Sequence, residues 1–172
     1  FAICLVALLL DPSFDRKRLW NSRGVKTHLP LILSLGLVGA ILLTAVLYFT
    51  APGSLFGLIR TRPQLWAIIM VLYPVLSVYP QEVAFRAFFF HRYQRLFGKG
   101  AGILVASSLA FGWAHIVMRN GWAIGFSTIG GMLFGLTYLR TRSLAAACLE
   151  HAMYGCFLFT IGWGYWFYSG AT

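Results

Sequence analysis

Five ionisable side chains lie inside long apolar stretches of the sequence: Glu82, Arg86, His115, Glu150 and His151. A charge at the centre of a bilayer costs at least about 2.5–3.5 kcal/mol on insertion scales, so such residues mark functional sites and need partners. Carboxylates and imidazoles exchange protons, and they also ligate metals. The chemistry that these residues offer is therefore acid–base catalysis, or the ligation of zinc or haem iron.

The spacing of these residues predicts how they meet. Glu82 and Arg86 are four residues apart, so they share one face of a helix and can form an ion pair. That pair either neutralises a buried carboxylate or holds it in place for a reaction. His115 and His151 belong to two further apolar segments. We expect Glu82, His115 and His151 to converge on one site.

The elements that position these residues are membrane-spanning helices. Of the 172 residues, 59% are hydrophobic and 10% are charged, whereas soluble domains carry about 25% charged residues. A bilayer core of about 30 Å needs roughly 20 apolar residues in a helix. Residues 1–10 are read as the tail of a truncated first span. The predicted full spans are 29–51, 64–97, 101–118, 122–139 and 143–168.

The expected fold is thus all-α, a multi-pass transmembrane helical bundle forming one membrane domain over residues 1–172. Pro74 and Pro80 should kink or break the span at 64–97, because proline lacks the N–H that a helix uses. Gly131 and Gly135 form a small-xxx-small pair, which lets two helices approach closely.

The net charge of +10 comes from basic residues concentrated in the connections between spans. Alternate connections carry ten and three basic residues, a bias that places 11–28, 92–99 and 140–142 in the cytoplasm and the C-terminus outside. This pattern argues against nucleic acid as a partner and for the lipid bilayer. We expect an integral protein of a bacterial cell membrane.

Three short runs resemble the motifs of one family. Gln81 to Arg86 (QEVAFR) resembles EExxxR, Phe111 to His115 (FGWAH) matches FxxxH, and His151 to Gly155 (HAMYG) matches the start of HxxxN. These are motifs of the CPBP family, the CAAX proteases and bacteriocin-processing enzymes, also called Abi. The order of the motifs agrees, and the resemblance covers residues 64–168.

The resemblance implies a glutamate-dependent intramembrane endopeptidase that needs no metal or cofactor. A glutamate and a histidine activate water, and the histidine of the third motif stabilises the oxyanion with its asparagine. The implied catalytic residues are Glu82, His115 and His151, with Arg86 supporting them. The implied substrate is a membrane-associated or lipidated peptide.

The sequence departs from the motifs at two positions. Gln81 stands where the first glutamate is expected and cannot act as a base, and Gly155 stands where the asparagine is expected. Glu82 would then be the base, with Gln81 as an amide donor to the oxyanion and Glu150 as another carboxylate that could substitute. The alternative is a catalytically inactive relative that binds or escorts membrane partners.

Other readings remain open on the residues alone. Glu82, His115 and His151 could hold zinc as a His₂Glu set, although there is no HExxH motif. His115 and His151 could be axial ligands of a haem. Ser127, in a run that resembles the rhomboid GxSG loop without its last glycine, could be a serine nucleophile. An aspartyl intramembrane protease is excluded, because no predicted span contains aspartate.

Overall fold

The computed structural model describes residues 1–164, and this part of the chain is helical with no β-strand. The prediction of an all-α fold is therefore confirmed. Short 3₁₀ turns join some of the helices. The helices are α1 (Ala2–Leu10), α2 (Ser22–Thr50), α3 (Gly57–Thr61), α4 (Pro63–Phe97), α5 (Ala101–Ala114), α6 (Gly121–Thr141) and α7 (Leu144–Ile161).

Five helical segments within residues 1–164 are long and apolar enough to cross a membrane, as predicted. Their outward faces carry many exposed leucine, isoleucine, valine and phenylalanine side chains, which suits contact with lipid. The last helix ends at Ile161, where Gly162 adopts a φ of +119° that favours glycine. Residues 165–168 of the predicted last span lie outside the described residues.

Helix α4 stays continuous, so the prediction of a break near Pro80 is wrong. Two π-helical segments interrupt its α-helical geometry, Tyr73–Val78 and Val83–Phe88. Pro74 lies in the first of these segments, and in a regular α turn its ring would clash with the carbonyl four residues earlier. Widening the turns accommodates the prolines without ending the helix, and π segments of this kind often mark functional sites.

Close packing of α5 on α6 depends on small residues, as the glycine pattern predicted. A Cβ at Gly131 would lie 3.1 Å from the Cα of Ser108, and a Cβ at Gly112 would overlap the Thr128 hydroxyl. Helix α7 packs against α6 and α2. The Tyr154 hydroxyl donates a hydrogen bond of 2.8 Å to the Ile32 carbonyl, which ties α7 to α2.

The buried core lies where α4, α5, α6 and α7 meet, and it includes Val83, Phe111, Phe134 and Ala147. Apolar side chains from all four helices surround the few polar groups at this position. The core therefore shields Glu82, Arg86, Glu150 and His151 from water, with exposed fractions of 0%, 0%, 1% and 6%.

Candidate active site

A hydrogen bond between α4 and α7 forms the centre of the site. His151 Nδ1 donates to Glu82 Oε1 at 2.9 Å, and the exposed fractions of the two residues are 6% and 0%. Because the proton is on Nδ1, Nε2 of the neutral imidazole carries a lone pair. The Tyr73 hydroxyl, also from α4, donates to that Nε2 at 3.1 Å. A carboxylate, an imidazole and a phenol are thus linked in sequence.

Arg86 balances the charge of Glu82. Its Nε lies 3.2 Å from Glu82 Oε2, and both side chains are completely buried. Arg86 Nη1 donates to Ser107 Oγ at 3.1 Å, and the Ser107 hydroxyl donates in turn to the Phe85 carbonyl at 2.6 Å. A buried charge needs such partners, because an unpaired one is strongly destabilising. The predicted ion pair is present and is anchored to α5.

The Phe111 ring joins the polar groups to one another. The guanidinium carbon of Arg86 lies 4.8 Å from its centroid, in a cation–π contact. The His115 ring lies 4.9 Å from the same centroid and the His151 ring 5.6 Å from it. On another side, Phe134 stacks on His151 at 4.4 Å and 13°. These aromatic contacts fix the plane of the His151 imidazole.

His115 lies at the point where α5 gives way to a 3₁₀ turn. Its Nδ1 donates to the Phe111 carbonyl at 2.8 Å, so its Nε2 bears the lone pair in the neutral ring. The residue is half-buried, and it is close enough to His151 for their charges to interact. The structure therefore joins Glu82 to His151 directly and places His115 against the same Phe111 ring that His151 contacts.

Gln81 and Glu150 occupy different surroundings. Gln81 Nε2 donates to Ser77 Oγ at 2.9 Å, one turn earlier on α4, and its hydrogen bonds within residues 1–164 do not reach Glu82 or the histidines. Glu150 is buried beside Thr137 and Tyr154, near enough to Glu82 and Arg86 for electrostatic interaction. It is a second carboxylate of the core, with no hydrogen bond to His151 in the described chain.

Sequence reasoning missed Tyr73, Ser107 and Phe134 as members of the site. Ser107 could have been found, because it precedes Phe111 by four residues and so shares its helix face. Phe134 had no comparable signal, since phenylalanine is common throughout the apolar stretches.

The geometry also bears on the other readings. Across residues 1–164, no three His, Cys, Asp or Glu side chains are arranged to hold a metal ion. Both ring nitrogens of His151 are engaged in hydrogen bonds, which leaves neither for haem iron. Ser127 is buried within α6, and in the described residues no hydrogen bond connects it to His151. Zinc, haem and serine chemistry therefore lack geometric support.

The arrangement as a whole can move protons. A carboxylate that holds Nδ1–H of an imidazole makes Nε2 the basic nitrogen and stabilises the imidazolium that forms when Nε2 takes a proton. A second imidazole lies close by. The Glu82–His151 pair is enclosed by apolar side chains, where electrostatic effects are stronger than in water.

One family model matches residues 63–157, more than half of the chain, and it is described as Rce1-like, type II CAAX prenyl endopeptidase Rce1-like. The matched segment contains Tyr73, Glu82, Arg86, His115 and His151. Comparison with curated proteins and with solved structures gave no match.

Proposed function

Because the chain belongs to the Rce1-like family of type II CAAX prenyl endopeptidases, we propose that it is an intramembrane endopeptidase. It hydrolyses a peptide bond of a membrane-associated substrate with water activated by a glutamate and a histidine. The observation that carries this proposal is the 2.9 Å hydrogen bond between Glu82 and His151, buried among membrane-spanning helices.

In the proposed reaction the Glu82–His151 pair is the general base. Water loses a proton toward His151 Nε2 as its oxygen adds to the substrate carbonyl carbon. Glu82 stabilises the resulting imidazolium. When the tetrahedral intermediate collapses, the C–N bond breaks and the proton passes to the leaving amine. The chemistry uses only the side chains of the chain and water.

His115 is assigned to the oxyanion. In its protonated form, Nε2–H of His115 would donate to the negative oxygen that develops on the substrate. This assignment exchanges the two histidine roles that the motif resemblance implies. The reason is geometric, since Glu82 bonds to His151 and not to His115. Arg86 supports the site by keeping Glu82 in position.

The substrate is proposed to be a lipidated peptide tail presented from the bilayer of a bacterial cell. The family description favours a prenylated CAAX tail over a bacteriocin leader or a C-terminal sorting signal. A site enclosed by lipid-embedded helices favours peptides whose anchors already lie in the membrane.

A cleavage assay tests the proposal. The purified chain in detergent would be given a quenched fluorescent peptide that ends in a farnesylated CAAX sequence, with the unprenylated peptide for comparison. We expect the wild type to cleave the prenylated peptide, and Glu82→Ala, His115→Ala and His151→Ala to lose activity. His28→Ala is the control, because His28 lies near the start of α2 and hydrogen-bonds to none of the site residues. Full cleavage by Glu82→Ala would refute the assignment.

A second candidate function is an inactive family member that binds or escorts membrane partners. The observation in its favour is Gln81, whose amide replaces the expected carboxylate and bonds to Ser77. The same assay separates the two candidates. If the wild type is inactive and Gln81→Glu cleaves the prenylated peptide, the natural chain is the inactive relative.

A further inference from the structure

The Tyr73 side chain occupies a space beside His151 that α7 leaves empty at Gly155. On α7, position 155 follows His151 by four residues, so a side chain there would project toward the same face. Residue 155 is glycine, and a Cβ added to it would overlap the Tyr73 hydroxyl and ring edge. The phenol from α4 therefore fills the space beside His151 that a side chain at 155 would otherwise occupy.

The Tyr73 hydroxyl is held in this place with a defined direction. Its ring packs edge-on against His151 at 6.0 Å and against Phe159 at 5.4 Å. The O–H donates to His151 Nε2, the basic nitrogen of the Glu82–His151 pair. Because this hydroxyl bonds to Nε2, a proton that reaches Nε2 from a water molecule would pass through the phenolic oxygen.

We propose that Tyr73 is a catalytic residue that relays the proton from water to His151. The proposal rests on the endopeptidase function proposed above. Water donates to the Tyr73 oxygen while the phenolic proton moves to His151 Nε2. One water O–H bond breaks, the phenol is regenerated, and the hydroxide oxygen bonds to the substrate carbonyl carbon. The reverse relay returns the proton to the leaving amine, so atoms and charges balance.

The relay gives Gly155 a function as well. Any side chain at 155 would push the phenol away from Nε2, so glycine at 155 and tyrosine at 73 form a complementary pair. A group that bonds Nε2 and also touches water needs an oxygen that donates and accepts at once. A phenol has both capacities, whereas an amide NH₂ at the same point could only donate.

The test compares Tyr73→Phe with Tyr79→Phe, which removes the same atom from the same helix outside the site. Tyr79 contacts the rings of Phe1 and Trp20. On the farnesylated peptide, Tyr73→Phe should lower kcat by about 100-fold or more, the range of proton-transfer catalysis, with KM little changed. Tyr79→Phe should stay close to the wild type. Cleavage by Tyr73→Phe within twofold of the wild type would overturn the relay and leave the endopeptidase function standing.

A second measurement does not depend on turnover. Nitrogen NMR of the chain with isotope-labelled histidine reports the tautomer and the hydrogen bond of each imidazole. In the wild type His151 should be the Nδ1–H tautomer with a hydrogen-bonded Nε2. Tyr73→Phe should shift the His151 Nε2 resonance and leave His115 unchanged. An unshifted resonance would overturn the relay. A wild type that fails to cleave would instead refute the endopeptidase function, and the relay with it.

Discussion

Glu82 Oε1 and His151 Nδ1 lie 2.9 Å apart although 69 positions separate the two residues in the chain. The contact joins α4 to α7 inside the core, where both side chains are buried away from water. It sets which nitrogen of His151 is basic. The first prediction follows directly from it.

Glu82→Gln keeps the size of the side chain and removes its charge. We expect cleavage of the prenylated peptide to fall by about 10³- to 10⁴-fold, because the amide no longer stabilises the His151 imidazolium. The measurement is kcat for the purified variant in detergent. Arg95→Gln, at the exposed end of α4, serves as the control for a change of charge on the same helix. A loss of less than tenfold would contradict the role given to Glu82.

Arg86→Met tests the buried ion pair through stability. Removing the guanidinium leaves the Glu82 carboxylate without its counter-charge, so the free energy of unfolding should fall by about 3–5 kcal/mol. The double variant Glu82→Gln/Arg86→Met should lose less than the sum of the two single variants, since it leaves no unpaired charge. Denaturant titration in detergent micelles measures all three. Simple additivity would mean that the two side chains do not interact.

Gly155→Ala adds one methyl group against Tyr73. Because its Cβ would overlap the phenol, we expect the free energy of unfolding to fall by about 1–3 kcal/mol and cleavage to fall as in Tyr73→Phe. Gly125→Ala on α6 is the matched control, since a Cβ there meets no atom within 4 Å. It should be neutral or slightly stabilising. Wild-type activity in Gly155→Ala would show that the Tyr73 hydroxyl can move without consequence.

Asp11 links the end of α1 to α4 and gives a prediction on pH. The hydrogen bond from the Ser13 hydroxyl, followed by that from His91 Nε2, holds the pKa of the Asp11 carboxyl well below its usual range. A lowered folded-state pKa contributes stability above the unfolded value, near 3.9, and loses it as pH falls through the folded value. Asp11→Asn should therefore be less stable than the wild type at pH 7.

The same reasoning predicts that the difference in stability between Asp11→Asn and the wild type narrows as the pH falls. The stabilities of Asp11→Asn and the wild type should converge only in strongly acidic solution, below the usual range of a carboxyl group. Thermal unfolding of both proteins at a series of pH values from 7 downwards measures this difference in stability. Ser34→Ala in α2 is a control, because its hydroxyl bonds to the carbonyl of Leu31 and, among residues 1–164, lies away from Asp11 and His91. A difference that vanishes already at pH 5 would contradict the lowered pKa.

Much of the fold could be predicted because it follows from local physics. Long apolar runs have few folding options in a membrane, so all five spans were found. Their ends were less accurate: α2 begins at Ser22, inside the predicted connection 11–28, and α7 ends at Ile161 although the last span was predicted to reach 168. The four-residue spacing of Glu82 and Arg86 predicted their ion pair. The presence of Glu82, His115 and His151 in separate apolar segments led to the expectation that they converge. The prolines led to the wrong prediction of a break in α4, because a helix can widen its turns into π-helical segments and continue.

The rest of the site depends on contacts between helices that cannot be predicted from a single sequence. Phe134 stacks on His151 because α6 packs closely on α5 at its glycines. That packing fixes the rotation of α6 about its own axis, which the periodicity of the sequence alone does not determine. The choice of partner for Glu82 was also beyond the sequence. Both histidines were available by type, and only the assembled helices bring His151 to the carboxylate.

The π-helical segment Tyr73–Val78 has a consequence for the angular phase of α4. Tyr73 and Glu82 are nine positions apart, and at about 100° per residue a uniform α-helix would direct them to opposite sides. Both nevertheless bond to the same imidazole. A π-helical turn contains more residues than an α turn, so it rotates the chain less per residue. The segment therefore turns the phenol and the carboxylate toward the same side of α4. If the same residues took regular α-helical geometry, the two groups would again point to opposite sides and would uncouple while the span itself survived.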